Sequence, residues 1–127
     1  MSEVSVDLPA QASSLRTARQ FVRETLLGWS CPDIVESATL LTSELVTNAM
    51  QHARTDGHPA TSIELRVSTT VHGIRVEVDD DSAIPPVQRS ATDAGGRGLT
   101  IVDTLSTAWG THSNRSGKTV WFELEQS

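Results

Sequence analysis

The spacing of hydrophobic positions changes along the chain, and its first part predicts a strand followed by a helix. Val4, Val6 and Leu8 alternate with polar residues and precede Pro9, which predicts a short first strand. Apolar residues then recur at helical spacing from about Ser13 to Trp29. The chain is therefore expected to begin with a strand and an amphipathic helix.

A second helix is predicted to start near Pro32, which suits a first helical turn, and to end at His52 or Ala53. Its apolar stripe consists of Ile34, Ala38, Leu41, Leu45 and Ala49. Turn-forming residues at 55–59 then predict a loop.

Two alternating runs follow, and each has one apolar face and one polar face. The apolar faces carry Ile63, Leu65 and Val67 in the first run and Ile74, Val76 and Val78 in the second. Such strands are typical of antiparallel sheets that are covered on one side, and Gly73 before the second run predicts a hairpin.

The last part of the chain is less regular. Residues 79–97 predict a long loop, and a short helix with Leu99, Ile101, Val102 and Leu105 follows it. A strand near Ala108–Thr111 and a last strand with Val120, Phe122 and Leu124 complete the pattern. The predicted fold is α/β (α+β): one domain over residues 1–127, a two-layer sandwich with a mixed, mostly antiparallel sheet and helices on one face.

Composition narrows the classes of function. The chain has 127 residues and a formal net charge of −6, which argues against direct nucleic-acid binding because no basic excess neutralises phosphates. The single cysteine, Cys31, excludes an intrachain disulfide and fits a reducing compartment. No apolar run is long enough to span a membrane. We therefore expect a soluble, cytoplasmic protein.

Three polar residues form a row on the second helix. Glu44, Asn48 and His52 are four residues apart, so they lie on one helical face. The amide oxygen of Asn48 is a suitable Mg²⁺ ligand, and Glu44 one turn away is placed to act as a general base. The ordinary alternative is a solvated helix surface.

The second strand of the hairpin runs into Asp79, Asp80, Asp81 and Ser82. A carboxylate at a strand end can accept a hydrogen bond from a ligand's exocyclic amine, although aspartate is also common in turns. A calcium site is disfavoured, because consecutive carboxylates point in different directions.

A glycine-rich segment, G-G-R-G-L at residues 95–99, leads into the predicted short helix. Glycine lets a backbone approach a ligand closely, and a helix N-terminus attracts phosphate. Neither a Rossmann motif nor a P-loop fits the surrounding pattern. Arg97 could contact phosphate or face water. Further on, Thr119 in G-K-T-V-W-F could bond a carboxylate or a water at the ligand, or be an ordinary strand residue.

In their order along the chain, these four features resemble the GHKL (histidine-kinase-like) ATPase superfamily, whose domains have the Bergerat ATP-binding fold. The segment E-L-V-T-N-A-M-Q-H-A is similar to its N box, V-D-D-D-S to its first glycine box, G-R-G-L to its second and G-K-T-V-W-F to its closing strand. The resemblance covers about residues 10–125. Within the superfamily, the chain is similar to the small stand-alone anti-sigma-factor serine/threonine kinases.

The resemblance implies roles for individual residues. Asn48 would coordinate the Mg²⁺ that bridges the ATP phosphates, Glu44 would be the catalytic base, and Asp80 would accept the adenine amino hydrogen. The remaining nucleotide-binding residues that it implies are Ser82, Gly96, Arg97, Gly98, Leu99 and Thr119. The three aspartates allow the adenine assignment to shift by one residue. The family's first box usually reads Asp-x-Gly-x-Gly, whereas Ser82 and Ile84 replace both glycines here.

The implied function is an anti-sigma factor that uses ATP to phosphorylate a serine of a STAS-type anti-anti-sigma partner, alternating between that partner and a sigma factor. The implied ligands are ATP, ADP and Mg²⁺, and homodimers are common among such kinases. Two alternatives remain open: a regulator that binds nucleotide without transferring phosphate, and an interaction domain with a decayed pocket.

Overall fold

The positions of the helices and strands follow the hydrophobic pattern closely. The computed structural model describes residues 1–55, 62–80, 105–114 and 117–126, with the backbone alone for 51–55 and 114. The two α-helices are α1 (Ser14–Gly28) and α2 (Val35–Thr55). The five strands are β1 (Glu3–Pro9), β2 (Ser62–Thr69), β3 (Gly73–Asp80), β4 (Ala108–Asn114) and β5 (Gly117–Glu125).

The described strands form one sheet in the order β1-β2-β3-β5-β4. Each of its pairings is antiparallel, and the last strand of the chain lies between β3 and β4. At the end of β3, Asp80 therefore has Ile63 of β2 on one side and Lys118 of β5 on the other.

Helices α1 and α2 cover one face of this sheet, which confirms the predicted two-layer sandwich. The alternate residues of the central strands that face the helices are almost completely buried: Ile63, Leu65, Val67, Ile74, Val76, Val78, Val120, Phe122 and Leu124. Against them pack the apolar stripes of the helices, including Ala18, Val22, Leu26, Leu41, Leu45 and Ala49. Within the described part of the chain, no helix is long and apolar enough to cross a bilayer.

The second helix differs from its prediction at both ends. Pro32–Ile34 form a short 3₁₀ turn, the α-helix begins at Val35, and it continues to Thr55. β4 also extends beyond the predicted Thr111, to Asn114, because it pairs with β5 as far as Gly117. The predicted long loop after Asp80 and the short helix from Leu99 lie outside the described residues, apart from Leu105.

The opposite face of the sheet carries a network of charges. Arg66 donates hydrogen bonds to Glu77 at 3.1 Å and to Asp79 at 2.9 Å, and it also contacts Glu64. Partial burial opposes the charge on Arg66, but the hydrogen bonds to these three carboxylates outweigh it and raise the pKa of Arg66 above its ordinary value. Arg66 therefore links β2 and β3 as a permanently charged group.

The indole of Trp121 lies on the same face, between a guanidinium group and a glycine. The guanidinium carbon of Arg75 is 3.9 Å from the centroid of the Trp121 ring, a cation–π distance. On β4, Gly110 lies directly opposite Trp121, and a Cβ added there would be 2.8 Å from the ring. Only a residue without a side chain leaves room for the ring at this position.

Substitution of this glycine tests the packing. We expect Gly110→Ala to lower the free energy of unfolding by about 1–3 kcal/mol, because the ring would have to move off its contact with Arg75. The free energy of unfolding of Gly110→Ala and of a control variant is measured by urea unfolding. Gly28→Ala is the matched control, since an added Cβ there meets no atom within 4 Å, and it should be neutral or slightly stabilising. Equal stabilities of the two variants would contradict the packing explanation.

Candidate functional site

Asn48 and Glu44 differ in exposure, although both lie on the same row of α2. Asn48 is buried, with 6% of its surface exposed, whereas Glu44 is half-buried. Residues four apart on a helix have their Cβ atoms about 5–6 Å apart. The row therefore presents a buried amide and, one turn earlier, a carboxylate that solvent reaches. The side chain of His52 is outside the described part of the chain.

Glu44 lies in a groove between α1 and α2. The groove is lined by Arg19, Glu36, Ser37, Thr39, Leu40, Ser43 and Glu44. Arg19 donates a hydrogen bond from Nε to Oγ of Ser43 at 2.6 Å, and Ser43 in turn donates to the carbonyl oxygen of Thr39 at 3.0 Å. These bonds fix a cation of α1 in the groove that contains Glu44. The sequence pattern does not indicate Arg19 as a site residue, because the pairing of two helices is a long-range contact that periodicity does not reveal.

The side chain of Asp80 belongs to the helix-covered face of the sheet. Side chains alternate along a strand, and Asp80 continues the buried series of Ile74, Val76 and Val78. It is buried, with 6% exposed. Asp79 belongs to the opposite face, where it accepts the hydrogen bond from Arg66, and Asp81 lies outside the described residues. Of the two aspartates of the 79–81 run that the structure describes, only Asp80 faces the layer that contains Asn48.

Lys118 is the residue of β5 that faces Asp80. The two residues are directly opposite in the register of β3 and β5, and Nζ lies 3.6 Å from Oδ2 of Asp80. Their side chains are 0% and 1% exposed. Lys118 is not among the site residues predicted above, although the alternation of the last strand contains a signal for it. Counting back by twos from Phe122 and Val120 assigns Lys118 to the buried face of the last strand.

Thr119 lies on the other face of the sheet. Its hydroxyl donates a hydrogen bond to Oδ1 of Asp79 at 2.5 Å, and the two residues are opposite one another in the register. The structure therefore brings together two cross-strand pairs, Asp80 with Lys118 under the helices and Asp79 with Thr119 on the polar face. The role implied for Thr119 at the adenine pocket stays a prediction, but its hydroxyl points away from Asp80.

The topology gathers these groups at one end of the domain. Asp80 ends β3, and Lys118 follows the first residue of β5. β2 begins at Ser62, beside Asp80, a few residues after α2 ends at Thr55. The C-terminal part of α2 and the Asp80–Lys118 pair are thus at the same end of the sheet. The other predicted binding residues, Ser82, Gly96, Arg97, Gly98 and Leu99, lie outside the described residues.

The oxygen donors at this end of the domain fit a Mg²⁺ ion that is bound together with a polyphosphate. Among the described residues, no three His, Cys, Asp or Glu side chains converge as a metal cage would require. Mg²⁺ does not need such a cage, because it usually takes one or two protein oxygens and completes its shell with water and substrate phosphates. A buried amide oxygen on Asn48 is a donor of that kind.

Comparison with known proteins agrees with this architecture. The sequence profile of the family described as the histidine kinase-like ATPase domain matches residues 8–124. No curated protein sequence matches the chain.

Two solved structures share the fold at low sequence identity. The RsbU and RsbW domains of Rv1364c from Mycobacterium tuberculosis superpose with a TM-score of 0.72 at 19% identity, over 98% of this chain and 33% of that one. The chain therefore spans about a third of the length of the chain in that structure. A chain of the SiaB–SiaC complex from Pseudomonas aeruginosa superposes with a TM-score of 0.67 at 15% identity, over 94% of this chain and 87% of that one.

Proposed function

The chain belongs to the histidine kinase-like ATPase family, and we propose that it binds Mg-ATP and transfers the terminal phosphate to a serine or threonine of a protein partner. The observation that carries the proposal is the arrangement on α2. A buried amide at Asn48 lies one turn from a carboxylate at Glu44 that a macromolecule can reach. Binding of Mg-ATP alone needs only the first group, whereas transfer of phosphate to a hydroxyl also needs a base such as the second.

Each residue has a defined part in this proposal. Asn48 would hold the Mg²⁺ ion through its amide oxygen. The ion would supply positive charge to the phosphates of ATP, in a protein whose own net charge is −6. Asp80 accepts the hydrogen of the adenine amino group. Glu44 accepts the proton of the partner's hydroxyl as the hydroxyl oxygen bonds to the γ-phosphorus and ADP departs with the electrons of the broken P–O bond.

The proposed partner is a protein of the STAS type, and the proposed physiological role is that of an anti-sigma factor. The groove beside Glu44 is open to solvent and contains Arg19, so a partner's serine can approach the carboxylate from outside the domain. The similarity to a chain of the SiaB–SiaC complex, a two-protein assembly, supports a protein rather than a small molecule as acceptor. A cytoplasmic location and homodimer formation are part of the same proposal.

A second candidate function is nucleotide-dependent regulation without phosphate transfer. It is favoured by one feature of the sequence, the replacement of both first-box glycines by Ser82 and Ile84. In this case nucleotide would stabilise one conformation that binds the partner, and Glu44 would have no chemical role.

Nucleotide binding is tested by thermal unfolding with ATP and ADP, with and without Mg²⁺. Ligand at about 100 times its dissociation constant should stabilise the fold by roughly 2.7 kcal/mol, which raises the melting temperature by several degrees. We expect Asn48→Ala to lose the Mg²⁺-dependent part of this shift, because it removes the amide oxygen.

The matched control for Asn48→Ala is Thr47→Ala, an adjacent polar residue of α2 that is half-buried. It should keep the wild-type shift. Absence of any shift at millimolar nucleotide in the wild-type protein would overturn both candidate functions and leave the interaction-domain alternative.

A further inference from the structure

We propose that Lys118 binds the base of the nucleotide together with Asp80. Lys118 would donate a hydrogen bond to the base, and Asp80 would accept one. The inference rests on the proposed function, because it concerns the same nucleotide pocket. It assigns to Lys118 the position beside the adenine carboxylate that the family resemblance suggested for Thr119.

The register of the sheet places Lys118 next to Asp80. Lys118 and Asp80 are directly opposite on β5 and β3, and both side chains point to the helix-covered face. The residue before Lys118 is Gly117, whose φ of 151° is a conformation that other residues rarely adopt. This glycine is the first residue of β5 and pairs with Asn114 of β4, so Lys118 is the second residue of the strand and lies opposite Asp80.

The side chains of Lys118 and Asp80 are buried together. The two side chains are 0% and 1% exposed, and Nζ and Oδ2 are 3.6 Å apart, an ion-pair distance longer than a hydrogen bond. A buried ammonium group is costly unless a carboxylate accompanies it. Because Nζ lies only 3.6 Å from Oδ2, a ligand edge that hydrogen-bonds to Oδ2 of Asp80 would also lie close to the ammonium group of Lys118.

Adenine has a hydrogen-bond donor next to hydrogen-bond acceptors. Its amino group donates hydrogen bonds to a partner, and the ring nitrogens on either side of it accept hydrogen bonds from a partner. Asp80 supplies only acceptors when ionised, and Lys118 supplies only donors. A carboxylate and an ammonium side by side are thus complementary to the amino group and an adjacent ring nitrogen. Thr119 does not offer this complement, since its hydroxyl donates to Asp79 on the other face.

The test uses ATP analogues in which carbon replaces one of the two ring nitrogens beside the amino group, 1-deaza-ATP and 7-deaza-ATP. Equilibrium binding to the full chain is measured by calorimetry. We expect wild-type protein to bind one of the two analogues about tenfold or more weakly than ATP, because the buried ammonium group then loses the ring nitrogen as an acceptor. The analogue that binds weakly identifies which nitrogen Lys118 contacts.

The variant Lys118→Met, similar in length but without donors, should bind ATP and that analogue equally. Arg75→Met is the matched control, because it removes the same charge from the opposite face of the sheet and should keep the wild-type preference. If Lys118→Met does not fold, Lys118→Leu, which also has no donors, is measured in its place with the same expectation.

Several outcomes would overturn the inference. Wild-type protein that binds ATP and both analogues equally would exclude a contact from Lys118 to the base. A preference that survives in the Lys118 variants but disappears in Thr119→Val would return the role to Thr119. Either result would leave the proposed function intact, whereas a wild-type protein that binds no nucleotide would refute the proposed function itself.

Discussion

Replacement of Glu44 by glutamine should lower the rate of phosphate transfer to the protein partner by about 10²–10⁴-fold, the usual contribution of a positioned general base. Glutamine keeps the size of the side chain but cannot accept the hydroxyl proton. Glu44 is half-buried on the surface of the α1–α2 groove, so the substitution should not disturb the buried stripe of α2. The Mg-ATP-induced rise in melting temperature should therefore stay at its wild-type value.

The measurement is transfer of labelled γ-phosphate to candidate STAS-type proteins from the same organism, under single-turnover conditions. Glu36→Gln is the matched control. Glu36 lines the same groove two turns earlier on α2, its side chain is 86% exposed, and its contact with Arg23 at 3.4 Å is a surface ion pair of small energy. Wild-type transfer by Glu44→Gln would refute the base assignment. Nucleotide binding with no transfer by the wild-type protein to any partner would favour the purely regulatory function.

The parts of the fold that the sequence predicted well are those with a short period. Residues such as Val76 and Val78 alternate with charged neighbours because one face of β3 is covered by helices and the other carries the Arg66 network. That arrangement leaves a period of two in the sequence itself. The buried stripe of α2 is visible for the same reason, with a period of 3.6. Local periodicity is enough to recover elements and to say which face of each is buried.

Contacts between distant parts of the chain are harder to predict from the sequence. The polar residues His112 and Ser113 gave no strand signal, yet they belong to β4 because β5 supplies their hydrogen-bonding partners. Likewise, Asp80 and Lys118 are far apart in sequence and meet only through the register of β3 and β5. Alternation predicts that both are buried, but it cannot predict that they face each other, since a shift of register by two residues would keep the same faces.

The α-helix boundary at Val35 has a different cause. Pro32 suits a first turn equally well in a 3₁₀ helix and in an α-helix, because its missing N–H is an unsatisfied donor in either. The sequence therefore locates the start of the helical segment at Pro32 but does not determine the type of its first turn.

Phe122→Ala should lower the free energy of unfolding by about 3–5 kcal/mol, which is the largest loss of stability that we expect from a single substitution in this chain. Phe122 is 0% exposed and lies on β5 between Val76 of β3 and Trp109 of β4. Removal of the ring leaves a cavity between the sheet and the helices that two hydrogen-bonded neighbouring strands prevent from closing. Small domains are stable by only about 5–15 kcal/mol, so this loss is a large fraction of the total. The melting temperature of a domain of this size should fall by roughly 10–25 °C.

The control for this substitution is Leu27→Ala, which removes an apolar side chain of α1 that is 52% exposed and should cost no more than about 0.5 kcal/mol. Phe122 also lies on the same face of β5 as Lys118, so the cavity loosens the strand that holds Lys118 against Asp80. Below its melting temperature, Phe122→Ala should therefore bind ATP more weakly than wild type, whereas Leu27→Ala should not. Urea unfolding and calorimetry of the two variants measure both effects, and equal stabilities would show that Phe122 is not central to the core.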